Sequence, residues 1–397
     1  AAAVRTWAQL AGTYQGLIEQ TGVDAGSSTQ MRYPGRVTAT VTSAGSFSGR
    51  LEYEGVTYTL SGMFDGTNLN AATSIARGGT SNPVGLELKF KGDDLVNYTL
   101  SASTMETLKA SATGVATWYT GNGTQSVLSV ESKMKRATGS ASAVNASGVT
   151  TPQFVAILKD VTVGGTQQSM GYSAYTVSSA GLVTTVAKVG DSTDASATGT
   201  AASYVMSDGS IPSYVGMYGS SYPARGYIAG NVAFNWTASP AVDTVSSALE
   251  WKRPSQSSSV YEMARKLGVV GSKFDTTQTA TSVLGQLTGI KLSLYGPGDT
   301  LLAPGTQVGW TGFKLSTAWT SDATVLPTAF TAAPGAFSGT CSTLNITGTT
   351  QTTITGQAGV PVVTVKMYVT DNTTATTKLV QSQGVIMQAP VGGVSSG

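Results

Sequence analysis

Apolar and polar residues alternate along most of this chain in short runs, the period of a strand with one face in the core. Arg36-Val37-Thr38-Ala39-Thr40-Val41-Thr42 sets every second residue inward. Residues 50–53 and 56–60 flank Glu54-Gly55, a two-residue connection whose glycine supplies positive φ, so the pair predicts a hairpin. Leu86, Leu88 and Phe90 alternate with Glu87, Lys89 and Lys91, a strand with one wet face. Residues 290–294 and 360–369 carry the same signature. Helical spacing is confined to residues 4–18 and to 259–267, where Val260, Met263, Ala264 and Leu267 fall at i, i+3, i+4 and i+7. The pattern predicts an all-β fold: linked antiparallel β-barrels or β-sandwiches with one or two short helices. A chain of 397 residues divides into an N-terminal β-domain (1–150), a middle β-domain (151–280) and a C-terminal β-unit (281–397) able to pair with the middle one.

An internal echo runs through these strands. Ser43-Ala44-Gly45-Ser46-Phe47-Ser48-Gly49 opens a strand–turn–strand block that closes at Phe64. Pro334-Gly335-Ala336-Phe337-Ser338-Gly339 opens another, and residues 175–183, around Ser179-Ala180-Gly181, look like a third opening. The spacing is irregular, which excludes a solenoid. Related β-units of one architecture, or chance likeness in a Gly/Ser/Thr-rich chain, both account for it.

Composition narrows the chemistry. Charged residues are 11 %, against about 25 % in an average soluble domain. Lys+Arg 23 minus Asp+Glu 21 leaves +2, so no basic face for nucleic acid is expected. The chain has no histidine, which removes Ser–His–Asp and Cys–His catalysis and every His-ligated metal site. A single cysteine, Cys341, excludes an internal disulfide and a thiolate zinc site. No apolar run is long enough to span a membrane as a helix. Ala1-Ala2-Ala3-Val4 lacks the charged and apolar regions of a signal peptide. It reads either as a mature end left by cleavage after a small-residue site or as an arbitrary boundary. Low charge with abundant Ser, Thr and Gly suits an exported bacterial surface protein.

Several motifs, taken in order, give the chain a resemblance. Gly12-Thr13-Tyr14-Gln15-Gly16-Leu17 matches a Gly-x-Tyr-x-Gly-Leu opening, and the hairpin from Thr42 to Phe64 matches the block that follows it. Residues 172–181, Ser207-Asp208-Gly209-Ser210-Ile211-Pro212-Ser213-Tyr214 through Tyr218, Leu249-Glu250-Trp251-Lys252-Arg253-Pro254 and Gly384-Val385-Ile386-Met387-Gln388 continue the series. With these the chain resembles a large Gly/Ser/Thr-rich β-module recurring in exported, autotransporter-like surface proteins of environmental Gram-negative bacteria. Glu262 stands where that module usually has a proline, and the last residues lack its aromatic. The resemblance implies the fold and an extracellular or cell-surface setting, and brings no catalytic residues with it.

The remaining candidates are carboxylates, rings and ends. A glycosidase would draw its pair from Asp93, Asp94, Asp191, Asp194, Asp208, Glu250 and Glu262. Asp93-Asp94 and Asp208-Gly209 read as turns. Asp191 and Asp194 lie in a Gly-Asp-Ser-Thr-Asp loop whose hard oxygen ligands suit calcium, but it lacks the EF-hand pattern and a plain solvated loop is the favoured reading; no metal and no cofactor is expected. Tyr214, Tyr218 and Tyr222, in a cluster with Tyr227, are the candidates for stacking on a sugar, and packing in cores and interfaces is the favoured reading of these rings. Lys133, Lys135 and Arg136 read as a solvated hairpin edge. The expected function is an extracellular structural protein, not an enzyme, that self-assembles into a surface filament or layer. Its partners are other copies of itself and, alternatively, surface glycans bound as an adhesin. Ala1, Val4, Trp7 and Leu10 mark the expected assembly segment, an apolar end able to lie along a neighbour's sheet.

Overall fold

A computed structural model describes residues 5–19, 31–77, 84–91, 99–106, 119–120, 124–125, 130–137, 153–161, 169–190, 197–218, 226–234, 247–254 and 263–274, together with strands between 289 and 385. The chain is nearly all β. After one short helix, α1 (Trp7–Leu10), come β1 (Gly12–Ile18), β2 (Gly35–Val41), β3 (Ser46–Tyr53), β4 (Val56–Met63), β5 (Asn70–Ile75), β6 (Val84–Lys89) and β7 (Thr99–Glu106). A two-residue pair, β8 (Tyr119–Thr120) and β9 (Thr124–Gln125), precedes β10 (Val130–Arg136). These strands form an eight-stranded antiparallel sheet in the order β4-β3-β2-β1-β10-β7-β6-β5, with β8 and β9 apart. The first strand pairs with the last, so the sheet curls into a nearly closed barrel.

The second sheet repeats that plan. Its strands are β11 (Gln153–Asp160), β12 (Ser169–Val177), β13 (Leu182–Val189), β14 (Thr198–Tyr204), β15 (Ser210–Met217), β16 (Gly226–Ala233), β17 (Ser247–Arg253) and β18 (Met263–Phe274). Their order, β14-β13-β12-β11-β18-β17-β16-β15, is that of the first sheet strand for strand. Local details repeat as well. Gly45 and Gly181 turn the equivalent hairpins at φ 81° and 76°. The Gly45 carbonyl accepts from Phe64 N–H and the Gly181 carbonyl from Val205 N–H, both at 2.9 Å. Gly35 and Gly171 hold equivalent places, where a Cβ would lie 2.5 Å from the Glu52 carbonyl and 2.0 Å from the Lys188 carbonyl. Only glycine lets the strands approach that closely and the sheet bend. The echo between the block at Ser43–Phe64 and the one opening at residues 175–183 is therefore a duplicated barrel.

The remaining strands are β19 (Gly289–Tyr295), paired with β20 (Lys314–Thr320), and the meander β21 (Ala329–Ala333), β22 (Ala336–Thr340), β23 (Thr349–Gln357), β24 (Val360–Asp371) and β25 (Thr376–Val385). β25 lies alongside β11 and β12.

Each barrel has its own core. Tyr14, Val37, Ala39, Phe47, Leu51, Leu86, Leu88 and Phe90 fill the first, so the alternation of β2 and β6 points inward as expected. Phe154 stacks on Phe234 in the second, centroids 4.1 Å apart, beside Trp251 and Leu267. Glu54 and Gly55 both take positive φ, 48° and 79°, the geometry of a two-residue hairpin turn whose twist matches the strands.

Three expectations need correction. Helix is confined to Trp7–Leu10 in the stretch 4–18, because Gly12 begins a strand whose alternate residues enter the barrel. Met263, Ala264 and Leu267 lie in β18, not in a helix. Leu267 and Val269 face the barrel core, while Ala264 and Lys266 are buried on the other face, which blurs the period of two. Lys133, Lys135 and Arg136 sit on β10, an interior strand between β1 and β7 and no hairpin edge.

Candidate functional site

The outer face of β1, β2 and β3 is polar by pattern: Gln15, Arg36, Thr38, Arg50 and Glu52 project away from the first core. In a lone barrel that face would be wet. Here Gln15, Arg36, Thr38 and Glu52 are buried against the second barrel, with Arg50 at the margin. Arg36 is 0 % exposed. Its guanidinium donates to both Glu52 oxygens, 2.8 Å from Nη2 to Oε1, and its Nη1 donates to Ser203 Oγ and the Pro212 carbonyl at 3.1 Å each. Arg50 Nη2 donates to the Ala202 carbonyl at 2.9 Å. Gln15 Nε2 donates to Thr38 Oγ1, and Gln15 Oε1 accepts from Tyr204 N–H at 2.9 Å.

The acceptors and donors reached on the second barrel share one property. Ala202, Ser203 and Tyr204 belong to β14 and Pro212 to β15, the two ends of the second sheet. Edge strands carry backbone N–H and C=O groups without a ladder partner. The first barrel hydrogen-bonds those groups with side chains. Backbone packing closes the same seam: a Cβ on Gly199 would lie 2.3 Å from the Gly216 carbonyl. Pro212, which has no N–H to leave unpaired, suits an edge.

A second set of contacts flanks the first. Glu250 Oε2 accepts from the N–H groups of Arg32 (2.6 Å) and Tyr33 (3.0 Å), and its other oxygen pairs with Lys266 across β17 and β18. Glu250 and Lys266 are both buried. Tyr214 and Tyr227 stack at 4.8 Å, and Tyr214 Oη accepts from Gly55 N–H at 2.8 Å while donating to the Pro34 carbonyl at 3.3 Å. Leu17, Met31, Ala229 and Ala264 complete this apolar patch between the barrels. At the far side Lys135 pairs with Asp208, and Ser207 N–H donates to the Arg136 carbonyl at 3.2 Å. Burial pushes the Asp208 carboxyl up, but Lys135 and Ser210 outweigh it and hold it below its usual value.

The predicted site residues land as follows. Tyr214 and Tyr218 are each 1 % exposed, so neither offers a face to a sugar. Tyr214 is a contact between barrels, and Tyr218 accepts from Trp251 Nε1 at 3.2 Å in the second core. Large rings with one polar tip fill such places because the tip finds a partner. Tyr222 lies outside the described residues, as do Asp93, Asp94, Asp191, Asp194, Glu262 and Cys341. Asp208 bonds Ser210 N–H two residues on, the expected turn. Glu250, a candidate for the glycosidase pair, is a buried contact between the barrels.

The assembly segment also needs correction. Leu10 is 0 % exposed in its own barrel and Trp7 packs on Phe64 and Phe90, centroids 5.5 and 6.4 Å apart. Both plug the chain's own barrel, Leu10 fully buried and Trp7 partly so. Ala1 and Val4 lie outside the described residues. Arg36, Glu52 and Lys266 escaped the sequence reading. Their one signal was the cross-strand placing of opposite charges, visible only once the pairing is known.

The buried rings set a pH limit. Burial holds Tyr214 and Tyr227 well above the usual tyrosine value of 10.0, and it pushes Tyr175 up to about 12. In each the neutral form is the one folding favours. That stability is complete below the unfolded value and is lost as pH rises past it, because the unfolded chain ionises first. Tyrosinate absorbance titrated upward from about pH 10 should therefore show a late, steep group that ionises together with loss of β-sheet circular dichroism. A single gradual titration with the sheet intact would contradict these burials.

Among the described residues no helix is long and apolar enough to cross a membrane, and no three of His, Cys, Asp and Glu gather closely enough to hold a metal ion. No protein-family model and no curated protein matches this chain.

Proposed function

We propose that this chain is an extracellular structural protein, a self-assembling subunit of a filament or layer at a bacterial surface, of the kind its resemblance to exported β-modules implies. One observation carries the proposal: two barrels of identical strand order dock face to seam, the outer face of one satisfying the edge strands of the next. A unit that closes its neighbour with side-chain hydrogen bonds is suited to stacking, and stacking is what a surface fibre or sheet needs. The balance of 23 basic and 21 acidic residues supports the same reading, since copies approach without strong mutual repulsion. The partners are then copies of the same chain.

Electron microscopy of the purified protein over rising concentration, with sedimentation alongside, is the direct test. Ordered polymers are expected. A particle that stays monomeric at every concentration and salt condition would end the proposal.

A further inference from the structure

Outside the barrel cores, the docked face holds a lysine and a carboxylate in contact. Glu250 on β17 and Lys266 on β18 stand directly opposite each other in the ladder. Glu250 is 3 % and Lys266 4 % exposed, and Lys266 Nζ meets Glu250 Oε1. Ala229, across from Glu250, and Ala264, two residues from Lys266 on the same face, belong to the apolar patch between the barrels. Little water reaches the pair. The other carboxylate oxygen, Oε2, is held by the N–H groups of Arg32 and Tyr33 at 2.6 and 3.0 Å. Those donors come from the chain between β1 and β2 of the first barrel.

Each feature has a chemical meaning. Two backbone N–H groups aimed at one oxygen stabilise the negative charge that develops there when a nucleophile adds to the carbonyl. An amine in contact with the same carboxyl group is that nucleophile once it gives up a proton. Fixing the two in place gives an effective concentration of about 10⁵–10⁸ M for well-oriented groups. Two other pairs in the chain lack one part each. Arg36 with Glu52 is also buried, but a guanidinium stays protonated and does not attack. Lys135 with Asp208 has the amine, but both side chains are 43 % exposed, so water solvates the charges and competes.

We infer that Lys266 and Glu250 condense into an amide, an isopeptide bond joining β17 to β18. The ammonium first passes one proton to Oε1, which removes two charges from a site with little water. The nitrogen lone pair then adds to Cδ, and the electron pair displaced from the C=O bond rests on Oε2 beneath the Arg32 and Tyr33 N–H groups. Oε1 takes a second proton from the nitrogen and leaves as water while the C=O bond re-forms. One C–N bond forms and one C–O bond breaks. Nothing is oxidised or reduced, and no co-reactant is needed. Because the two N–H donors belong to the first barrel, docking of the barrels completes the site.

Mass spectrometry of the purified, denatured chain is the test. The expected mass is one water, about 18 Da, below that of the sequence. A tryptic digest should join residues 226–252, which carry Glu250, to residues 266–273 through Lys266. The digest separates this bond from a succinimide, which loses a water at an Asp-Gly step such as Asp65-Gly66 or Asp208-Gly209. Lys266→Arg keeps the charge and has no amine that condenses, so its mass should be that of its own sequence. Should that variant fail to fold, the parent's mass and digest decide by themselves. A parent at full sequence mass overturns the inference and leaves an ion pair. So does a water lost only from other peptides, or a loss that survives in Lys266→Arg.

Discussion

Arg36→Ala is expected to destabilise the folded chain by about 3–5 kcal/mol, the cost of breaking a buried ion pair by removing one partner. Arg36 does two jobs at once: it neutralises Glu52 and donates to Ser203 and the Pro212 carbonyl on the second barrel. Its loss leaves a carboxylate, 11 % exposed at the side chain, without its main counter-charge. Arg50, at 3.9 Å from Glu52, is too distant to replace a bidentate pair. The paired variant Arg36→Met with Glu52→Leu removes both charges and should recover most of the loss, because desolvating two ions costs nearly what their attraction returns. Guanidinium unfolding of the parent, Arg36→Met, Glu52→Leu and the paired variant measures the coupling directly. The single variant should also separate the transitions of the two barrels, since it loosens their shared face. A cost below about 1 kcal/mol, the range of an exposed pair, would mean that this face is wet in solution.

Removing residues 1–10 is expected to unfold or strongly weaken the first barrel and not merely to detach a connector. Leu10 is buried beneath the barrel's end, and Tyr14 donates to its carbonyl at 2.7 Å. Trp7 covers the Gly45 turn so closely that a Cβ there would sit 2.8 Å from the indole. Leu10→Ala alone should cost about 2–5 kcal/mol, the range for a fully buried leucine left as a cavity. Trp7→Ala adds the loss of its contacts with Phe64 and Phe90. Chemical denaturation reads both, and a truncated chain as stable as the parent would show that this plug contributes nothing.

Much of the strand content was legible along the chain. The Glu54-Gly55 hairpin, the inward set of Leu86, Leu88 and Phe90, and the echo around Gly45 and Gly181 rest on local rules: side chains alternate every two residues, and tight turns need positive φ. Such rules act over a few residues and do not depend on what lies beyond them. Helical spacing misled at Met263, Ala264 and Leu267 because a strand buried on both faces shows no clean period.

What the sequence alone determined is thus the class of fold, its antiparallel hairpins and the low, balanced charge. Tertiary structure decided everything that depends on distant partners. β1 closes on β10 and β11 on β18 over long stretches of intervening chain, which no local pattern encodes. Arg36, Glu52, Glu250 and Lys266 occupy outer positions that a single barrel would leave in water, and only the docking of the two barrels turns them into buried pairs. Tyr214 and Tyr218, spaced like a sugar platform, became core and interface for the same reason. Burial is a property of what packs on a face, and a lone strand carries no record of it.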